Sequence, residues 1–182
     1  MQGHHAHTSI DKITTPVAIR SENGGKTILF PGSFDPFTQG HANLVERALR
    51  LFDEVVIAIG VNEQKAGWIP VEDRVRALRD YYRNYRKMSR VRVESYTGIT
   101  ADFAGSIGAT AILRGVRTLK DFEYEQQMAD VNRQLKGIDT VLLIADPQLS
   151  AVSSSIVREL AHFGRDISGF LPEGLSYGVK NI

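Results

Sequence analysis

Phe30-Pro31-Gly32-Ser33-Phe34-Asp35-Pro36-Phe37-Thr38-Gln39-Gly40-His41 is the stretch that decides the fold. It follows a short apolar run and leads into an amphipathic segment, which is the pattern of a strand, a bent loop and a helix start. Its two glycines and two prolines let the backbone turn sharply and approach a ligand closely. The first N–H groups of the helix and the positive end of its dipole would point into this loop, where His41 adds a donor. The stretch therefore predicts a phosphate site.

Length and composition indicate one globular domain, since 182 residues with 42% apolar and 24% charged content suffice for a single core. A formal net charge of +1 argues against an extended positive surface for binding nucleic acid. The chain has no cysteine, which excludes disulfides and thiolate catalysis and fits a reducing compartment. No apolar run approaches the roughly 20 residues that cross a bilayer, and the N-terminus lacks the apolar core of a signal peptide. We therefore expect a cytoplasmic protein without a membrane segment.

Residues 1–25 differ in pattern from the rest of the chain. They are polar and aperiodic, carry His4, His5 and His7, and end in the breaker Asn23-Gly24-Gly25. No acidic or sulfur ligand is interleaved with the histidines, so a flexible leader or an expression-tag remnant is favoured over a metal site. The predicted organisation is a leader over 1–25 and a single domain over 26–182, with no metal ligands assigned.

Apolar runs and helical patterns alternate from Lys26 onward. The predicted strands are 27–30, 54–61, 91–96, 110–113 and 140–145, and the predicted helices are about 41–52, 71–82, 100–107, 119–136 and 156–163. The run over 54–61 is almost continuously apolar, which is typical of a strand covered on both faces in a parallel sheet. The pattern predicts an α/β fold, a Rossmann-like open parallel five-stranded sheet with helices on both faces.

Several polar residues follow the predicted strands directly. Open parallel sheets bind ligands at their carboxyl edge, near the reversal of strand order. We therefore expect one crevice to collect Ser33, His41, Lys65, Arg114, Arg117 and the three serines 153–155. For Lys65, an ordinary solvated loop lysine is an equally good interpretation.

Arg114-Gly115-Val116-Arg117 is expected to flank a tight bend after a strand, where Gly115 lets both guanidinium groups face one cavity. Paired N–H groups of arginine suit phosphate oxygens. The alternative is that the arginines only pair with acids such as Asp121 or Glu125. The basic stretch 83–92 carries no aromatic stacking pattern, so it is interpreted as a solvated face rather than a nucleic-acid site.

The predicted crevice is cationic and rich in donors, and the sequence contains neither a metal-ligand cluster nor a G-x-x-x-x-G-K-[ST] phosphate loop. These features favour chemistry at the phosphates of a nucleotide. The protein would align two anions and stabilise charge on the transferring group, without a covalent intermediate. A phosphate nucleophile is already ionised near neutral pH, so His41 is expected to act first as a donor.

The opening loop resembles the T/H-x-G-H signature of nucleotidyltransferases. Together with Arg114–Arg117, Asp121–Glu125 and Val152–Ser155, it resembles bacterial phosphopantetheine adenylyltransferases over about 27–174. The resemblance implies transfer of AMP from ATP, accompanied by Mg²⁺, to 4'-phosphopantetheine, giving dephospho-coenzyme A and pyrophosphate. It also implies a homohexamer and feedback inhibition by coenzyme A.

The resemblance assigns site residues position by position. The implied catalytic residues are His41, Lys65 and Arg114. The implied ATP contacts are Ser33, Phe34, His41, Gly115, Val116, Arg117, Glu125, Leu149, Ser150, Ala151, Val152, Ser153, Ser154 and Ser155, with backbone contacts over 149–151. The implied contacts to the second substrate are Ser33, Lys65, Thr100 and Arg114.

Two other functions remain open at this point. A nicotinate or nicotinamide mononucleotide adenylyltransferase would share the fold but usually carries histidine where this chain has Thr38. A non-catalytic nucleotide-binding regulator could keep the loop and helix start, but it would not need Lys65 and Arg114 together.

Overall fold

The computed structural model describes residues 24–62, 64 and 67–178. The predicted leader falls outside the described residues except for Gly24 and Gly25, so the division at residue 25 stays a prediction. Among the described residues, no helix has the length and apolar character that a membrane span requires.

Strands and helices alternate along the described chain. The strands are β1 (Thr27–Gly32), β2 (Glu54–Gly60), β3 (Val91–Tyr96), β4 (Ala111–Val116) and β5 (Asp139–Ile144). The helices are α1 (Gln39–Ala48), α2 (Val71–Asp80), α3 (Thr100–Ser106), α4 (Leu119–Lys136) and α5 (Ser154–His162). A π-helical turn over Tyr81–Tyr85 extends α2, and short 3-10 turns lie at Pro147–Leu149 and Ser168–Phe170.

The five strands form one parallel sheet in the order β3-β2-β1-β4-β5. The order reverses between β1 and β4, because the chain builds outward first on one side of β1 and then on the other. The predicted Rossmann-like sheet of five parallel strands is therefore confirmed.

Alternation along the strands divides the core between two faces of the sheet. Phe30 and Ile57 pack on the face that also buries Val45 of α1 and residues of α2. Leu29 belongs to the opposite core, together with Ala104 of α3. Successive strand residues point to opposite faces, so an unbroken apolar run is what a sheet with helices on both sides requires.

The pairing of β1 leaves an opening at the carboxyl edge of the sheet. β1 pairs with β2 along its whole length, from Thr27 to Gly32. It pairs with β4 only at Ile28 and Leu29. Beyond Leu29 the two strands part, and this crevice lies at the reversal of strand order, where open α/β sheets bind their ligands.

The prediction of a tight bend at Gly115 is wrong. β4 runs on to Val116, and Gly115 is opposite Leu143 of β5, so the backbone stays extended there. Glycine at this position allows close packing, since an added Cβ would lie 2.4 Å from Cδ1 of Leu44 in α1 and would force the end of that side chain to move. Arg114 and Gly115 consequently point to opposite faces of the sheet.

Other element bounds differ by a few residues from those predicted. α1 begins at Gln39, two residues before His41, and Thr38 is its N-cap. α2 ends at Asp80, where the chain continues as the π-helical turn. The bounds of β3 and α4 agree with the prediction, and Gly137 ends α4 with a positive φ of 65°.

We predict that Gly115→Ala destabilises the protein by about 1–3 kcal/mol, because the added methyl group overpacks the contact with Leu44. In a Leu44→Ala background the methyl group has space, and the same substitution should cost much less. Urea unfolding of the four proteins of this double-mutant cycle measures the coupling. Gly105→Ala is the control, because nothing lies within 4 Å of the Cβ that it adds to α3. An equal cost of Gly115→Ala in both backgrounds would contradict the packing explanation.

Candidate active site

The loop after β1 is fixed by buried polar contacts to the segment that enters α2. The Asp35 carboxylate accepts hydrogen bonds from the backbone N–H groups of Ile69 and Trp68, at 2.8 and 2.7 Å. Arg74 of α2 is 4% exposed, donates through Nε to the Ile69 carbonyl at 2.8 Å, and donates through Nη1 to the Ser33 carbonyl. Groups that are buried and satisfied in this way hold a loop in one conformation.

The C-terminal part of the chain holds the same loop from its other side. The Phe37 N–H donates to the Tyr177 hydroxyl at 2.8 Å, and Tyr177 is 2% exposed. Arg158 of α5 donates to the Asp35 carbonyl, and Ser154 donates to the Pro36 carbonyl at 2.8 Å. The loop is therefore held in place before any ligand enters, which lowers the entropic cost of placing a substrate.

His41 occupies the third position of α1, and its hydrogen bonds fix its orientation. Its Nδ1 accepts from the Thr38 N–H at 3.0 Å, which leaves the remaining ring proton on Nε2. The ring lies against Phe34 and Phe37, with centroid distances of 5.1 and 5.3 Å. No residue in the described part of the chain accepts from Nε2.

The surroundings of His41 keep the imidazole neutral. Burial, and after it the positive charges of Arg117 and Arg114, together lower its pKa from 6.5 to about 4. At neutral pH the ring is therefore an uncharged Nε2–H donor that lines the same cavity as the two arginines.

Arg114 bridges the gap where β1 and β4 part. Its Nη1 donates to the Pro31 carbonyl of β1 at 2.7 Å. Nε and Nη2 form a two-bond fork with the Glu125 carboxylate of α4, at 2.8 and 2.6 Å. Glu125 is 6% exposed. Three of the five guanidinium N–H groups are used in this way, and two remain for a ligand.

Arg117 is held more loosely at the start of α4. Its Nε and its backbone N–H both donate to Oδ2 of Asp121 at 3.1 Å. Asp121 in turn donates its backbone N–H to the Thr118 hydroxyl, the N-cap of α4. The sequence left phosphate binding and acid pairing as alternatives for the two arginines. The structure shows that both arginines pair with acids while still lining the cavity.

The three serines of α5 already have partners for their hydroxyl groups. Ser153 is the N-cap and accepts from the Ile156 N–H at 3.2 Å, while Ser154 bonds the loop after β1. Ser155 accepts from Arg158 Nη2 at 3.2 Å. An anion at this helix end would therefore meet mainly backbone N–H groups, which the first turn of a helix leaves unpaired.

A cavity of about 320 Å³ lies at this edge of the sheet. Of the residues assigned from the sequence, the cavity is lined by Ser33, Phe34, His41, Arg114, Gly115, Arg117, Glu125, Leu149, Val152, Ser153, Ser154 and Ser155. The Phe34 ring is 2% exposed, so the ring itself belongs to the core and a ligand would contact mainly its backbone.

The structure places the other assigned residues elsewhere. Val116 is 4% exposed and is absent from the lining, as are Ser150 and Ala151. Thr100 lines a neighbouring cavity of about 160 Å³, which shares Arg114 and Glu125 with the larger one. Lys65 lies outside the described residues.

Sequence reasoning missed the residues that hold the site in place. Thr38 and His41 have the N-cap to N3 spacing of a capping box, which is a signal that was available. Arg74 and Arg158 gave no such signal, because their partners are distant in the chain. Arg74 bonds the Ser33 carbonyl, 41 residues away, and Arg158 bonds the Asp35 carbonyl, 123 residues away.

Comparison with known proteins gives one family and many relatives. The chain matches a family described as cytidylyltransferase-like over residues 29–160. It is 55% identical to the phosphopantetheine adenylyltransferase of Porphyromonas gingivalis over 146 residues, which cover 80% of this chain and 94% of the relative. The enzyme of the same name from Bacteroides fragilis is 52% identical over 147 residues, covering 81% and 96%. That of Frankia casuarinae is 42% identical over 144 residues, covering 79% and 89%.

One solved structure supports the fold. Its name proposes a nicotinate-nucleotide adenylyltransferase from Vibrio parahaemolyticus. The TM-score is 0.55 with 17% sequence identity, over 82% of this chain and 95% of that chain. At this identity the likeness concerns the fold alone.

We predict that Glu125→Gln lowers the free energy of unfolding by about 1–3 kcal/mol, because the buried fork with Arg114 loses one charged acceptor. Glu123→Gln in the same helix is the matched control, since Glu123 is exposed. Urea unfolding of both variants measures the difference. Equal stability of the two variants would show that the fork does not hold Arg114.

We predict that the His41 imidazole titrates with a midpoint near 4 in the folded protein. Because the folded pKa lies below the unfolded value of 6.5, the unfolded state takes up the proton first. The free energy of unfolding should therefore fall as the pH drops from about 6.5 towards 4, and His41→Gln should remove that part of the pH dependence. NMR titration and urea unfolding at several pH values measure both effects, with His162→Gln as the exposed control. A His41 midpoint at 6.5 would contradict this account.

Proposed function

The chain belongs to the phosphopantetheine adenylyltransferases of the cytidylyltransferase-like family, and we propose from this that it transfers AMP from ATP to 4'-phosphopantetheine. The products are dephospho-coenzyme A and pyrophosphate, in a step of coenzyme A biosynthesis. The observation that carries the proposal is one cavity that presents a neutral His41 together with Arg114 and Arg117. These are donors for phosphate oxygens, as a reaction between two phosphorylated substrates requires.

The proposed reaction is a direct in-line transfer. An oxygen of the acceptor phosphate attacks the α-phosphorus of ATP, the bond from that phosphorus to the bridging oxygen breaks, and pyrophosphate leaves with the bond electrons. The acceptor phosphate is ionised at neutral pH, so no general base is needed. His41 donates Nε2–H to an α-phosphate oxygen on which charge increases in the transition state.

The two cavities suggest which substrate each residue contacts. Arg114 lies on both cavities, so its two free N–H groups can hold the acceptor phosphate beside the reacting centre. Thr100 lies on the smaller cavity, which supports its assignment to the pantetheine arm. Arg117 and the first turn of α5 lie on the larger cavity, which supports binding of the ATP phosphates there.

We propose that Mg²⁺ accompanies ATP. The carboxylates on the larger cavity are Glu125 and Asp121, and each is already paired with an arginine. No group of three or more metal-binding side chains exists among the residues the structure describes. These residues fit a metal carried mainly by substrate phosphates better than a site built from protein side chains. When bound, Mg²⁺ supplies positive charge to the triphosphate.

We also propose a homohexamer in the cytoplasm, with coenzyme A as a feedback inhibitor because it carries the product's pantetheine arm. Large exposed apolar side chains on α4 support self-association. Leu119 is 82% exposed and Leu135 is 50% exposed, and Phe122 and Val131 are exposed on the same helix. A helix with this many exposed large apolar side chains is more apolar than a monomeric surface helix needs.

Acceptor specificity is tested by pyrophosphate release from ATP with different acceptors. We predict rapid release with 4'-phosphopantetheine and little with nicotinate mononucleotide, because relatives that are 42–55% identical over most of their length carry the phosphopantetheine name. Faster release with nicotinate mononucleotide would instead indicate a nicotinate mononucleotide adenylyltransferase, which shares the fold. No release with either acceptor would favour a binding regulator.

We predict that His41→Ala lowers the rate of adenylyl transfer by roughly 100-fold or more, because the transition state loses a positioned donor. The change should appear in kcat more than in the KM of either substrate. His162→Ala on the exposed side of α5 is the matched control and should transfer at the normal rate. Normal turnover by the His41 variant, with its fold checked by circular dichroism, would remove His41 from the mechanism.

A further inference from the structure

A third cavity, of about 570 Å³, lies at the outer edge of the sheet, between edge strand β3 and the end of α2. Its lining shares no residue with the active-site cavity. Four of the lining side chains are basic and one is acidic, namely Arg79, Arg83, Lys87 and Arg92 against Glu94. The cavity therefore collects positive charge, although the chain as a whole is close to neutral.

Two of these cations are already neutralised by neighbours. Arg79 donates to the Val93 carbonyl at 3.0 Å and lies 3.5 Å from the Glu94 carboxylate. Arg92 pairs with Glu54 at 2.7 Å. Arg83 and Lys87 have no ion pair or side-chain hydrogen bond within the described ranges 24–62, 64 and 67–178. Two positive charges on the same cavity are thus available to an anion.

We propose that this cavity binds the phosphate group of a small molecule at a site separate from the active site. The anionic oxygens meet Arg83 and Lys87. A single phosphate group is much smaller than 570 Å³, so the cavity also accommodates the organic part of a phosphate ester. Inorganic phosphate and a phosphate ester offer the same chemistry to these two side chains.

Equilibrium dialysis of the full chain with radiolabelled inorganic phosphate tests the proposal. The double variant Arg83→Gln/Lys87→Gln should lose one phosphate site per chain while keeping normal adenylyl transfer and normal thermal unfolding. The charge-matched control Lys26→Gln/Arg50→Gln should bind like the wild type, since neither residue lines the cavity.

Competition by ribose 5-phosphate distinguishes the two sources of the anion. Displacement of the labelled phosphate at equal or lower concentration than unlabelled phosphate indicates an ester, and weaker displacement indicates the free anion. An unchanged number of sites in the Arg83/Lys87 variant overturns the proposal. Equal loss in the Lys26/Arg50 control overturns it as well, because binding would then follow net charge alone.

Discussion

The separation of β1 from β4 beyond Leu29 is the constraint on which the rest of the site depends. A parallel sheet that continued to pair would leave no space at its carboxyl edge, and the Pro31 carbonyl would bond to a neighbouring strand. Here the Arg114 guanidinium takes the place of that strand, bonding Pro31 on one side and the buried Glu125 on the other. The gap is thereby stabilised by a charged group that still has two N–H groups for a ligand.

The electrostatics of the cavity follow from this arrangement. Each arginine is partly compensated by an acid, so the cavity is positive without containing two bare buried charges, which would be costly. The same positive charges, together with burial, keep His41 neutral. A neutral donor beside oriented cations matches a reaction in which charge moves between phosphates that are already ionised, and in which placement and charge stabilisation supply most of the acceleration.

The sequence predicted the strands, the helices and their order, because the apolar periods are strong and glycine, proline and serine mark the element ends. It also predicted which strand ends would meet, as parallel topology requires. The reason for Gly115 was missed, since the side chain that excludes a Cβ there is Leu44, 71 residues earlier in the chain. Arg74, Arg158 and Tyr177 were missed for the same reason, because contacts between distant segments leave no local pattern.

The central claim is that the cavity beside the parted strands aligns two phosphorylated substrates for one direct displacement. The stereochemical course at the α-phosphorus tests it most directly, using ATP made chiral at that atom by sulfur and oxygen-isotope substitution. A single in-line displacement predicts inversion of configuration in the dephospho-coenzyme A analogue. Retention would contradict the account, because it requires two displacements and a covalent intermediate on a side chain such as His41.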